Sequence, residues 1–387
     1  MTDRCCPHLR TALFACVAAA LLTGCATTKD SSAPSPYDDE AFATRPHLKM
    51  SWREALNPPQ AWEYRPRQYS TPHYRETTDE MYVGTDQGAL FKVRGGDGKV
   101  LWRAQLQGPI HSEPVYGDGR VYVGTLEGHF YALDEASGEE IWSNQVEASI
   151  ESRAAFAEGR IFYTTSNDVL VAEDAATGKR LWNYRRTAPE YFTIKESGKP
   201  VVEEATVYCG FADGVMVALQ LDTGEMLWSS DLSAGKTEFI DADEDPIIAG
   251  SRVFAASYDG GLYAIDKTSG EHIWRQPLTG ISDFIYGEDT LYAATANGRL
   301  VAMDAADGTP RWGFKFEENT PVAITATQLY LFVSTSSGPM YVIDRNSGFP
   351  LMNWDPSTGF NTRVVFGAAA GFAISNRGYL YGFDVAY

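Results

Sequence analysis

Along the chain, apolar and aromatic residues come in short runs closed by Gly, Asp, Asn or Ser. Typical runs are Val121-Tyr122-Val123-Gly124-Thr125, Phe130-Tyr131-Ala132-Leu133-Asp134 and Leu262-Tyr263-Ala264-Ile265-Asp266. Val, Tyr, Ile, Phe and Thr dominate them, as expected of strands packed on a pleated surface. No apolar spacing of three and four residues continues long enough to predict a helix of note. The pattern predicts an all-β chain.

The runs recur as a unit. Trp102, Trp142, Trp182, Trp228, Trp274, Trp312 and Trp354 follow one another at spacings of 38 to 46 residues. A turn precedes each: Asp97-Gly98, Ser137-Gly138, Thr177-Gly178, Thr223-Gly224, Ser269-Gly270, Asp307-Gly308 and Ser347-Gly348. The Gly stands four residues before the first six tryptophans and six before Trp354. Two strand-like runs lie upstream of each turn, so the unit reads as a four-stranded sheet. One such sheet cannot bury both its faces. Stacked radially, sheets cover one another and leave only short edges. The tryptophans are expected to pack between blades and the glycines to take left-handed turn positions. Asp134, Asp174, Asp266, Asp304 and Asp344 are expected to hold the turns by accepting bonds from backbone amides.

The last unit, ending in Tyr379-Leu380-Tyr381-Gly382-Phe383-Asp384, lacks a Trp strand. Leu48-Lys49-Met50-Ser51-Trp52 supplies one. The predicted fold class is therefore all-β: an eight-bladed β-propeller over 47–387, four antiparallel strands per blade, closed by the N- and C-terminal strands. Only Trp62 is left without a place in the repeat.

Ahead of the propeller the pattern changes. Arg4 and Arg10 precede an apolar run from Thr11 to Leu22 that is short for a membrane span and fits a signal peptide over 1–24. It ends in Leu22-Thr23-Gly24-Cys25, which resembles the bacterial lipobox. Cys25 is expected to carry the lipid, and Ala26 beside it points to the outer membrane. Residues 25–46, with few apolar groups after the cysteine, predict a flexible tether.

Composition narrows the function classes. A net charge of -19 disfavours nucleic acid and anionic headgroups and suits a basic patch on a protein partner. Four of the five cysteines lie in the first 25 residues, so Cys209 cannot form a bridge within the folded body; in its apolar run it reads as a small buried hydrophobe. The six histidines are scattered, with no zinc spacing, and there is no nucleophile elbow or phosphate loop. Asp241, Asp243 and Asp245 mimic the start of a calcium loop, but Pro246 and Arg252 stand where that loop needs Gly and Glu. No cofactor and no metal site is predicted.

The unit Gly-x-Leu-Tyr-Ala-Leu-Asp-x-x-Thr-Gly-x-x-x-Trp, clearest at 128–142 and 261–274, resembles the PQQ-type propeller repeat. Quinoprotein dehydrogenases share it, but they are longer and carry a vicinal disulfide beside the cofactor, whereas the adjacent Cys5-Cys6 here lies in the signal. The other bearers are the BamB family of outer-membrane lipoproteins. That resemblance spans nearly the whole chain after Cys25. It is closest over 237–304, through Thr237-Glu238, Phe254-Ala255, Tyr258-Asp259-Gly260, Ser269-Gly270 and Asp283-Phe284-Ile285.

The resemblance implies a non-enzymatic scaffold, lipid-anchored on the periplasmic face of the outer membrane, within the machinery that folds and inserts β-barrels. It implies docking on the periplasmic POTRA domains of BamA, and unfolded outer-membrane proteins are a further candidate partner. Two connections are longer than the rest, at 187–206 and 231–252, and long loops on a rigid scaffold are where binding concentrates. By resemblance Phe192, Ile194 and Lys195 in the first, and Asp243 and Asp245 in the second, are the BamA contacts. Lys195 stands where the family commonly has Arg, and it cannot offer the same planar fork. The alternative functions are a propeller for another envelope protein and a quinone-dependent dehydrogenase.

Overall fold

A computed structural model describes residues 47–58, 67–187, 198–367 and 370–386. Eight four-stranded antiparallel sheets follow one another along the chain. Blade 1 runs outward through His73–Arg75, Glu80–Gly84, Ala89–Arg94 and Val100–Gln105. Blades 2 to 7 repeat this order from the innermost strands Val115–Gly117, Ala155–Ala157, Val201–Glu203, Ile247–Ala249, Ile281–Gly287 and Pro321–Ala326. Blade 8 joins the two ends: Val365–Phe366, Gly371–Ile374 and Tyr379–Ala386 are completed by His47–Ala55 on the outside. Leu48 pairs with Val385 and Ala55 with Tyr379. The expected eight-bladed propeller, closed by its terminal strands, is the observed fold.

Burial follows radius. In blade 2 the second and third strands are buried almost throughout, because neighbouring blades cover both their faces. The outermost strand alternates between half-buried and exposed, because the blades diverge there.

Three residues fasten seven of the eight blades to the next. An aromatic on the second strand sits about 6 Å from the tryptophan of the outermost strand: Tyr82 and Trp102 at 6.1 Å, Tyr208 and Trp228 at 6.0 Å, Phe254 and Trp274 at 5.9 Å. The indole then covers the turn glycine of the following blade. A Cβ on Gly138 would stand 2.8 Å from Trp102, and one on Gly270 2.8 Å from Trp228. Both glycines also have φ near +75°, so a side chain there meets steric and conformational penalties together. The indole N–H donates across the joint to a carbonyl at the same turn: Trp102 to Glu135 (3.0 Å), Trp228 to Lys267 (2.9 Å), Trp52 to Gly95 (2.7 Å). Within the turn, Asp134 accepts from the amides of Ala136 and Ser137, and Asp266 from those of Thr268 and Ser269.

Trp354 departs from the expectation that every repeated tryptophan packs this way. Met352, not Trp354, lies opposite Val342, where Trp142 lies opposite Ala132 in blade 2. Trp354 packs on Phe360, Tyr381 and Phe383 instead. Ring closure is the reason. Blade 8 takes its outermost strand from the other end of the chain, so it has no turn glycine there for an indole to cover.

A second departure lies between blades 2 and 3. The third-strand position held by Val93, Leu133, Leu219, Ile265, Met303, Ile343 and Phe383 elsewhere is Glu173 in blade 3. Glu173 is buried, accepts a bond from Tyr163 Oη (3.1 Å) and lies 3.6 Å from Arg180. Burial raises its pKa, and its bonds to Asn144 and Tyr163 and the charge of Arg180 offset this only in part. A native state that holds this proton more tightly than the unfolded chain loses stability as pH rises through that window. Glu173→Gln keeps the acceptor without the charge, so it is expected to raise the denaturation midpoint at neutral pH. The gain should vanish below about pH 4, where the carboxyl is protonated folded and unfolded alike; equal midpoints at pH 7 would remove the assignment.

Candidate functional site

The register makes eight innermost-strand residues equivalent: each pairs with an aromatic on the second strand, as His73 does with Tyr82 and Ile247 with Phe254. The residue two positions earlier is then equivalent around the whole ring. Blades 2 to 6 and 8 place Glu113, Arg153, Lys199, Asp245, Asp283 and Arg363 there, and blades 1 and 7 place Thr71 and Ala323. Thr71, Glu113, Lys199, Asp283, Ala323 and Arg363 line one cavity of about 540 Å³.

Three acids and three bases at one repeat position neutralise one another. Arg153 lies 3.5 Å from Glu113, and Lys199 3.1 Å from Asp245. Arg363 reaches past the small Ala323 to grip Asp283 through two nitrogens, at 2.5 and 3.3 Å, and meets Asp245 at 3.3 Å. Asp283 also accepts the amide of Ile324 (2.6 Å), and the Arg363 amide donates to Thr71 (3.3 Å). His73 stands 3.7 Å from Glu113. Every blade therefore contributes a group to this network.

Its electrostatics follow from that pairing. Burial alone would raise Asp245, but Lys199, Arg363 and Arg153 outweigh it and hold the carboxyl far below the usual range. Glu113 is likewise held down, burial being overcome by His73, Arg153 and Lys199. Burial works against the Arg363 guanidinium, and Asp283 and Asp245 keep it charged.

Of the residues singled out from the sequence, Asp245 lies inside this network, buried and held by two cations. Asp243 is half-buried on the wall of the same cavity, beside Glu244. Phe192, Ile194, Lys195, Cys25 and Trp62 lie outside the described residues. Cys209 is buried and its Sγ faces the Gly198 carbonyl at 3.6 Å; burial, then the charges of Asp168 and Asp245, push the thiol up and keep it protonated. The ring went unread in the sequence because its members share no local motif. Aligning the repeats on their second-strand aromatics is the signal that finds them.

The family described as outer membrane protein assembly factor BamB matches residues 51–143, 86–314 and 259–351, and so spans the propeller from blade 8's outer strand to blade 7. The chain belongs to the BamB family. Among solved structures, BamB from Moraxella catarrhalis is similar at 20% identity with a TM-score of 0.75, over 87% of this chain and all of that one. The computationally designed Ika8 protein gives 13% identity and a TM-score of 0.70, over 86% and 100% of the chains. Quinohemoprotein alcohol dehydrogenase from Comamonas testosteroni gives 14% identity and 0.73, over 87% of this chain and 76% of that one. At these identities the likeness is one of fold. No curated protein matches.

The dehydrogenase neighbour makes the quinone a group to test against the ring. Such a cofactor presents carboxylates, and each ring cation here already faces a ring carboxylate. A bound polyanion would meet Glu113, Asp245 and Asp283 as well as the bases. The ring residues of this BamB-family chain do not fit that group.

Proposed function

We propose that the chain is a non-enzymatic scaffold of the outer-membrane β-barrel assembly machinery, held on the periplasmic face of the outer membrane by lipid on Cys25. It binds the POTRA domains of BamA and helps orient them while β-barrel proteins fold and insert. The family match across the propeller carries this reading. The self-neutralised ring supports it from the side of chemistry, since its acids and bases are paired with one another around the cavity. Phe192, Ile194 and Lys195 on one long connection, with Asp243 on the other, form the contact surface; Asp245, buried and paired with Lys199 and Arg363, serves the ring instead.

Affinity purification from solubilised membranes tests the reading. BamA should be recovered with the wild-type chain, and its absence would sink the proposal. Phe192→Ala combined with Ile194→Ala should lower that recovery about tenfold or more, as loss of apolar anchors does at an interface centre, while the thermal midpoint stays put. Unchanged recovery removes that connection from the interface. Saturable quinone binding with dehydrogenase turnover would favour the enzyme instead.

A further inference from the structure

Two turns of blade 7 break a pattern that blades 1 to 6 keep. One joins the strands Pro321–Ala326 and Tyr330–Thr335, the other Met340–Asp344 and Pro350–Trp354. The Leu329 carbonyl accepts the Arg345 amide (3.0 Å), and the Phe349 carbonyl accepts the Asp344 amide (2.8 Å), so both residues are tied to one corner of the blade. The same two bonds recur in the earlier blades and make the positions equivalent. Leu329 stands where blades 1 to 6 have Asp79, Gly119, Gly159, Ala205, Ser251 and Asp289. Phe349 stands where they have Lys99, Glu139, Lys179, Glu225, Glu271 and Thr309. Every counterpart is small or polar. As whole residues Leu329 is 50% and Phe349 57% exposed. Single exposed apolar residues are ordinary; two departures from the repeat at one corner are not scatter.

This corner lies away from the cavity. Val322 and Ala323, at the start of Pro321–Ala326, line that cavity, and the turn carrying Leu329 follows the far end of the strand. The cation at the corner is already engaged: Arg345 is buried, lies 3.5 Å from Glu288 and donates to Tyr292 Oη (3.0 Å) and the Thr327 carbonyl (3.1 Å). An anionic headgroup or an acidic peptide finds no partner in it, and the net charge of -19 repels both. Blade 8 shows what else reaches this side. Its third strand, Tyr379–Ala386, runs in the same sense as Met340–Asp344 in blade 7, so Ala386 comes to the same face. Ala386 pairs with His47, and residues 25–46, which lead back to Cys25, join the propeller there.

We propose that this face of blade 7 rests on the lipid bilayer, with Leu329 and Phe349 entering the headgroup layer of zwitterionic lipids. The proposal depends on the reading that Cys25 carries lipid, and it adds an orientation. A lipid on Cys25 by itself limits distance from the membrane and leaves the propeller free to turn. Apolar side chains set at the boundary of headgroups and acyl chains supply a second, weaker contact. The cavity then faces away from the membrane.

The test reads contact with lipid at this corner. The purified lipidated protein carries a fluorophore at Asn346→Cys, an exposed position in the Phe349 turn, or at Gln87→Cys, exposed on the cavity side. Cys209 is buried and stays unlabelled. Each is reconstituted into phosphatidylethanolamine–phosphatidylcholine vesicles whose acyl chains carry bromine quenchers. Quenching is expected at position 346 and not at 87. Combining Leu329→Ser with Phe349→Thr should lower it about tenfold, the size that one buried large apolar side chain supports. Ser251 and Thr309 hold these positions in blades 5 and 6, so the thermal midpoint should stay put. No quenching at 346, or quenching unchanged by the double substitution, overturns the bilayer contact and leaves the lipid reading intact. A lowered midpoint assigns the pair to packing within blade 7 and overturns it as well. Shielding of position 346 in native membranes without quenching on vesicles overturns it in favour of a protein occupant. A chain that does not stay with the vesicles overturns lipid on Cys25, and this proposal with it.

Discussion

Replacing Trp228 with alanine is expected to destabilise the propeller by about 3–5 kcal/mol, the range for deleting a large buried aromatic. Three losses coincide at this position. The indole is the most buried of the repeat tryptophans, at 8% exposure, and its removal opens a void between Tyr208 and Gly270. The Lys267 carbonyl loses its donor across the joint. The void cannot collapse easily, because the sheets on either side are held by their own ladders. Urea unfolding measures the effect; a change under about 1 kcal/mol, within the range of a surface substitution, would mean that the indole is not the fastener between blades 4 and 5.

Arg363→Met should be of similar size for a different reason. Breaking a buried ion pair by removing one partner costs about 3–5 kcal/mol, because the remaining charge is stranded. Asp283, with a side chain 3% exposed, loses both its bonds to Arg363, and Asp245 loses one of its two ion-pair partners, keeping Lys199 in contact and the more distant charge of Arg153. The pH dependence gives a second check. Asp245 has a depressed pKa, so in the wild type its contribution is present above the unfolded value and is lost as pH falls through the folded one. The variant holds its carboxylates less firmly, so its deficit should shrink as pH drops through the carboxylate range. Adding Asp283→Asn to Arg363→Met should recover part of the loss, since the two sites are coupled. A single variant as stable as wild type at pH 7 would show that the ring does not hold the innermost strands together.

The repeat was legible because it is written in local chemistry. Trp, Gly and Asp recur at fixed offsets, and the turn from Asp266 to Gly270 forms as those residues dictate. Closure was legible too, since the last unit lacks a strand that Trp52 and its neighbours provide. Trp354 misled for a physical reason: its spacing matches the repeat, but its partner turn does not exist in the next blade. The charged ring was illegible because equivalence between Glu113 and Arg363 is a property of register, and one position holding three acids and three bases shows no consensus. Asp245 was picked out for its acidity, but only the structure reveals that its charge is turned inward.

Blade 8 also constrains how the molecule comes apart. Its outer strand and its three inner strands stem from opposite ends of the described chain, and Leu48 meets Val385 there. During synthesis the first of these partners must wait, unpaired, until almost everything else has been made, so the circle has no intermediate stage with all its edges satisfied. Once sealed, the same arrangement ties both ends of the described chain into one sheet, so neither end can fray without breaking that ladder.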